Sequence, residues 1–161
     1  RDFESLVRNY FEQYLGQFPA QVFDKINENF IRCSFFELVS RYLSSCYTFA
    51  IEQNNSEGRA DFEMTGIPGT DYYTDDRLVE FKYYKAKEAE KMLGLDAPLP
   101  EHVEQVHRYA EDTLRHFPNY KVRTYVVYIC ANRGWKWEMG DLPFPHGSPS
   151  APAISLTCAG V

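Results

Sequence analysis

The sequence predicts an α/β fold, with a mixed central β-sheet flanked by helices. Three observations predict it. Two short segments of alternating polarity, residues 58–64 and 78–83, bracket a stretch rich in turn formers. Residues 122–131 form an almost continuous apolar, β-rich run, as in a central strand covered on both faces. Around these lie segments whose apolar residues recur at helical spacing. The expected order is helix, three strands, helix, strand.

Composition sets the bounds. With 161 residues, 44% hydrophobic and 16% aromatic, the chain can bury one sizeable core as a single domain. The net charge of −6 counts against a general nucleic-acid binder but leaves room for a site that gathers carboxylates. No apolar run approaches the ~20 residues needed to span a membrane, and no signal peptide is expected. The chain begins at Arg1, as an excised domain or a processed product would. Its cysteines, Cys33, Cys46, Cys130 and Cys158, form no C-x-x-C pair. Cys33 and Cys130 lie in apolar runs, where a thiol behaves as a small hydrophobe, and all four read as free and reduced, which suits a cytoplasmic protein without structural zinc.

Residues 2–15 read as an amphipathic helix carrying Phe3, Leu6, Val7, Tyr10, Phe11 and Tyr14 on one stripe, stopped by Gly16. So aromatic a stripe belongs in a core or against a neighbouring domain. Residues 1–18 are accordingly set apart as an N-terminal helix that could connect to a further domain. Residues 19–139 form the main domain and 140–161 a Pro/Gly-rich arm, with 154–158 as an edge strand. Residues 19–44 are helical with a break near 27–29, burying Ile31, Phe35, Leu38, Val39 and Tyr42. Glu28 falls on that inward side at the helix start, where the helix dipole favours an acid. Glu37 lies on a different face. Residues 47–53 make the first strand and 54–58 a turn. After Lys82, residues 84–93 are charged and helix-like, and 94–100 form a loop. Residues 101–117 form a strong helix with Val103, Val106, Ala110, Leu114 and Phe117 inward. Its His102 and His107, with His116, do not share one face and read as surface residues. Trp135 and Trp137 cap the core.

The candidate site lies in the hairpin. Successive strand side chains point to opposite faces, so Ala60, Phe62 and Met64 oppose Arg59, Asp61 and Glu63. Val79, Phe81 and Tyr83 likewise oppose Glu80 and Lys82. Pairing the two strands with apolar faces aligned, around a turn at 65–77, puts Asp61, Glu80 and Lys82 on one polar face. Two carboxylates and an ammonium suit a hard cation and an activated water. The same pattern also describes a solvated hairpin face with an ordinary ion pair.

The order Gly-Arg-x-Asp, then Glu-x-Lys, then a helix with Gln-x-x-x-Tyr resembles the core of the PD-(D/E)XK nuclease superfamily. The wording Glu-Gly-Arg-Ala-Asp-Phe and Leu-Val-Glu-Phe-Lys-Tyr is most similar to the nuclease-like domain that follows AAA-ATPase-like domains in bacterial proteins. The resemblance covers about residues 25–135, with Ala60 where the superfamily's name has proline. It implies a restriction-endonuclease-like core and Mg²⁺-dependent hydrolysis of nucleic acid, DNA above all, with Mn²⁺ able to substitute. Asp61, Glu80 and Lys82 would be catalytic. Glu28, Asp61, Glu80 and the Phe81 carbonyl would hold the metal, with Glu37 as the rival of Glu28. Gln105 and Tyr109 match a motif that holds the strand in the RecB-like branch. An AAA-ATPase-like domain would lie outside this chain, which has no Walker motif. A fold kept for binding or regulation, without catalysis, is the alternative.

Overall fold

A computed structural model describes residues 2–52, 60–142 and 156–159. The first helical segment starts as α1, Phe3–Asn9, capped by the Asp2 carboxylate, which accepts the Glu4 N–H at 2.9 Å. It then widens into a π-turn, Tyr10–Tyr14, and tightens into a 3₁₀ turn, Leu15–Gln17. The sequence predicts one continuous helix here. The change of pitch sets Tyr10 and Leu15 into the core and leaves Phe11 and Tyr14 at its margin.

The expected break before the next helix falls at residues 25–27. A 3₁₀ turn, Ala20–Asp24, precedes it, and Asn27 caps α2, Glu28–Leu43, by accepting the Phe30 N–H at 3.0 Å. The β-strands follow as β1 Tyr47–Ile51, β2 Phe62–Gly66 and β3 Asp75–Tyr84. Then come α3 Ala86–Leu93, α4 Pro100–His116, β4 Lys121–Cys130, β5 Gly134–Leu142 and β6 Leu156–Ala159. The predicted turn at 65–77 is shorter than expected, because β3 already starts at Asp75. The loop folds back so tightly that a Cβ on Gly66 would meet the Tyr72 carbonyl oxygen at 1.7 Å.

The strands lie in sequence order in one sheet. β3 and β4 are parallel, joined through α3 and α4, and every other neighbour pair is antiparallel. The meander, the crossover and the parallel strand are those expected. β5 and β6 extend the sheet beyond them.

Helices cover both faces. α1 and α2 pack over Phe62, Phe81, Tyr125, Ile129, Trp135 and Trp137. Phe35 of α2 is fully buried there, edge-on to Phe81 at 5.1 Å and to Phe62 at 5.3 Å. Truncating such a side chain to alanine costs about 3–5 kcal/mol. α3 and α4 cover Leu78, Val126, Tyr128 and Cys130 with Ala89, Met92, Val106 and Ala110.

Three apolar assignments are corrected. Tyr42 is 65% exposed and Phe117 51% exposed, and Cys33 faces solvent. Each lies in a helical period, but Tyr42 and Phe117 come at the C-terminal ends of α2 and α4. Cys33 lies between the buried Arg32 and Ser34, on the outer side of its turn. Both tryptophans are in the core, as expected. The turn at 54–58 and most of the C-terminal arm lie outside the described residues.

Candidate active site

The site forms where β2 stops and β3 runs on. The last rung between them pairs Phe62 with Val79. The chain bends at Asp61, and Ala60 packs with the α3–α4 cluster while Phe62 packs with the α1–α2 cluster. The shared face expected for Ala60, Phe62 and Met64 therefore ends at the bend. Asp61 sits at the end of a strand and not on a flat polar face.

That position gives Asp61 two partners. Its Oδ2 accepts the Phe81 N–H at 2.8 Å, standing in for a β2 backbone acceptor. Its Oδ1 accepts from Arg32 Nη1 at 2.5 Å, and both side chains are buried. In an antiparallel pair one residue's N–H and C=O face the same neighbour. The Phe81 carbonyl therefore opens toward the side on which Asp61 lies.

Glu80 is fully buried. Its Oε1 accepts from Lys82 Nζ at 2.8 Å, and its Oε2 has no hydrogen-bond partner among the described residues. Lys82 Nζ is also 3.6 Å from Glu28 Oε1 at the start of α2. Glu28, Asp61, Glu80 and Lys82 thus meet at one end of β3. Glu37 does not join them: it is exposed and pairs with Arg41 at 2.5 Å along the solvent side of α2.

The electrostatics follow from this crowding. Burial, then the nearby Asp61 carboxylate, push the Glu80 carboxyl up to about 7, against the opposing bond from Lys82. Burial also raises Glu28. For Lys82, burial acts downward but the bond and charge of Glu80 outweigh it, so its pKa is raised and the ammonium stays charged.

All the candidate donors are oxygens, which suits Mg²⁺ or Mn²⁺ and not zinc. Glu80 Oε2 is the buried atom that such an ion would satisfy. Glu28 offers a half-exposed carboxylate, and each Asp61 oxygen, bonded once, keeps a further lone pair. Among the described residues, no group of three or more Asp, Glu, His or Cys side chains is placed to hold a metal ion as it stands. The chemistry fits, with the coordination still to be drawn together.

Gln105 and Tyr109 lie one turn apart on α4, half-buried, with Gln105 Nε2 donating to the Tyr109 hydroxyl at 3.1 Å. Tyr109 also packs on the α3–α4 cluster. One turn nearer the helix start, His102 is close enough to Lys82 and Asp61 to feel both charges. Sequence reasoning passed over Arg32 and Tyr128, and it read His102 as a surface residue where the structure half-buries it against Tyr128. Arg32 carried one signal, its position four residues after Glu28 on the same helix face. Tyr128 carried none until strand pairing set it opposite Lys82.

A family model described as the PD-(D/E)XK nuclease superfamily matches residues 26–139 of this chain. No curated protein and no solved structure matches it.

Proposed function

The chain belongs to the PD-(D/E)XK nuclease superfamily, and from that premise we propose that it is a metal-dependent nuclease hydrolysing phosphodiester bonds, with DNA as its favoured substrate. The observation that carries this reading is Glu80. It is a fully buried carboxylate with one oxygen unpartnered, sharing Lys82 with Glu28 beside Asp61.

Glu80, Asp61 and Glu28 would hold Mg²⁺ or Mn²⁺, joined by the Phe81 carbonyl. When bound, the ion supplies Lewis acidity to the scissile phosphate and lowers the pKa of the attacking water. Lys82 is held between two carboxylates and stays charged, so its task is orientation and charge stabilisation and not proton abstraction. Gln105 and Tyr109 would contact the sugar-phosphate backbone through neutral polar groups.

The Arg32–Asp61 pair favours a second reading, a nuclease fold kept for binding or regulation. An internal cation there already pairs with the Asp61 carboxylate. On either reading, the wording around Asp61 and Glu80 favours an AAA-ATPase-like partner outside this chain and a bacterial, cytoplasmic setting. No helix among the described residues is long and apolar enough to cross a membrane.

Thermal unfolding with and without Mg²⁺ or Mn²⁺, alongside cleavage of single- and double-stranded DNA and RNA, tests the proposal. Metal should raise the midpoint by stabilising the folded state, and the wild-type chain should cut. Asp61→Ala or Glu80→Ala should remove both effects. Metal binding without any cleavage supports the second reading, and a metal effect that survives both variants places the site elsewhere.

A further inference from the structure

Tyr128 stands beside Lys82. The two are paired residues of β4 and β3, so their side chains leave the sheet on the same face. The buried Tyr128 hydroxyl lies 2.6 Å from His102 Nδ1 and accepts the Leu99 N–H at 2.9 Å. Leu99 precedes the first turn of α4, and His102 lies within that turn, its ring edge-on to Tyr128. Three parts of the chain therefore converge next to the ammonium assigned to catalysis.

Proton accounting fixes the ring. The Tyr128 oxygen already accepts from Leu99, and burial holds its phenol up to about 12, so it keeps its proton. The one acceptor bonded to that hydroxyl among the described residues is His102 Nδ1. Burial, then the Lys82 charge, hold His102 below its ordinary pKa, so the imidazole is neutral at neutral pH. With Nδ1 accepting, its single proton is on Nε2. Nε2 forms no hydrogen bond among the described residues, and His102 is only half-buried. A neutral N–H donor whose ring is held by Tyr128, the β4 neighbour of Lys82, suits an anionic oxygen.

We propose that His102 is a substrate-binding residue of this site, its Nε2–H donating to a phosphate oxygen of the nucleic-acid strand, with the Tyr128 hydroxyl and the Leu99 N–H as the positioning groups. This rests on the nuclease reading above and adds a strand contact at the start of α4, one turn before Gln105.

The probe is a fluorescein-labelled DNA strand, its binding followed by anisotropy in Ca²⁺ and its cleavage in Mg²⁺. His102→Asn keeps a polar group near Nδ1 and removes the Nε2 donor. It should weaken binding about three- to tenfold, the worth of one hydrogen bond. His102→Gln, which returns an N–H near the Nε2 position, should recover most of that loss. The dependence of log affinity on log salt should be unchanged in His102→Asn, because a neutral donor releases no counterion. Nitrogen NMR of the imidazole, which needs no substrate, should show the Nε2–H form in wild type and lose that preference in Tyr128→Phe.

An Nδ1–H ring in wild type overturns the inference. So does a salt slope lowered by about one in His102→Asn, which would make the contact cationic. Wild-type affinity and cleavage in a folded His102→Asn overturn it while leaving the nuclease reading intact. A wild-type chain that neither binds nor cuts with either metal overturns both.

Discussion

β3 carries an ionic cluster at each end, and the two are built differently. At its start, Asp75 accepts from the Tyr47 hydroxyl at 2.6 Å and from Arg77 Nε at 3.0 Å, and Arg123 Nη1 lies 3.8 Å away. The Arg77 guanidinium also sits over the Tyr47 ring, 5.7 Å from its centroid. One carboxylate there has two cations and a phenol. At the far end, Glu28, Asp61 and Glu80 share Lys82 and Arg32, and Glu80 Oε2 is left over. The first cluster is closed and holds β1, β3 and β4 together. The second gathers three carboxylates around two cations and leaves one buried oxygen unpartnered among the described residues. The contrast fits the proposal that the first cluster fastens the fold while the second serves a ligand.

The largest expected effect comes from breaking the open cluster. Glu80→Ala should reduce metal-dependent cleavage to background and abolish the metal-induced rise in melting temperature, while Asp75→Ala should keep that rise. Loss of the rise in both variants would show that the two clusters do not act independently.

Breaking the closed cluster should instead cost stability. Asp75→Ala removes the carboxylate partner of the buried Arg77 guanidinium and should destabilise the chain by about 3–5 kcal/mol in denaturant titrations. A cost under about 1 kcal/mol would remove its status as a structural fastening.

Lys82→Ala sharpens the comparison inside the open cluster. Cleavage should fall about 10²-fold, as when other charge-stabilising groups are removed, while metal binding by calorimetry persists because an ammonium is not a ligand. Loss of metal binding would mean that Lys82 mainly keeps Glu80 and Glu28 in place.

Next to the first cluster, between Asp75 and Arg77 in sequence, lies Asp76, fully buried, with Thr65 Oγ1 donating to its Oδ1 at 3.0 Å. Burial, then Glu63, push its carboxyl up to about 7 from an ordinary 3.8. A raised carboxyl binds its proton in the folded state. Its contribution to stability is therefore full below about pH 4 and is lost as pH rises through about 7. Asp76→Asn should flatten that decline, gaining about 1 kcal/mol or more over wild type at pH 8 relative to pH 5. Urea midpoints at the two pH values check it, and parallel midpoints would assign the ionisation to Glu63.

The smallest effects belong to α4. Gln105→Ala and Tyr109→Phe should each weaken DNA binding about two- to tenfold, the range of a single hydrogen bond, without changing the salt slope. Unchanged affinity by anisotropy in both would leave the pair as a surface bond between neighbours on one helix.

Much of this was readable from residues alone, because strand alternation is a strict period. Val79, Phe81 and Tyr83 pack toward α1 and α2, while Glu80 and Lys82 turn away, as their order dictates. The position of Glu28 on the inner side of its helix was also readable, and it separates Glu28 from the exposed Glu37. What escaped depended on a change of direction or on distant pairing. The bend at Asp61 ends the face that Ala60 was expected to share with Phe62. Arg32 looks like a surface residue until Asp61 is brought to it, 29 positions along the chain. Tyr128 reads as one more apolar residue of a buried strand until β4 is laid parallel to β3. Helix ends misled in the other direction, since Tyr42 and Phe117 keep the apolar period at the C-terminal ends of α2 and α4 and are nevertheless exposed.

The bond from Phe81 N–H to Asp61 turns one backbone amide into a gauge of the site. Such a proton is protected from exchange with solvent only while its acceptor stays in place. Anything that draws the Asp61 carboxylate away, whether an arriving cation or the release of Arg32, loosens that proton and speeds its replacement by deuterium. The occupancy of the site can then be followed at a single peptide group, with no substrate and no label.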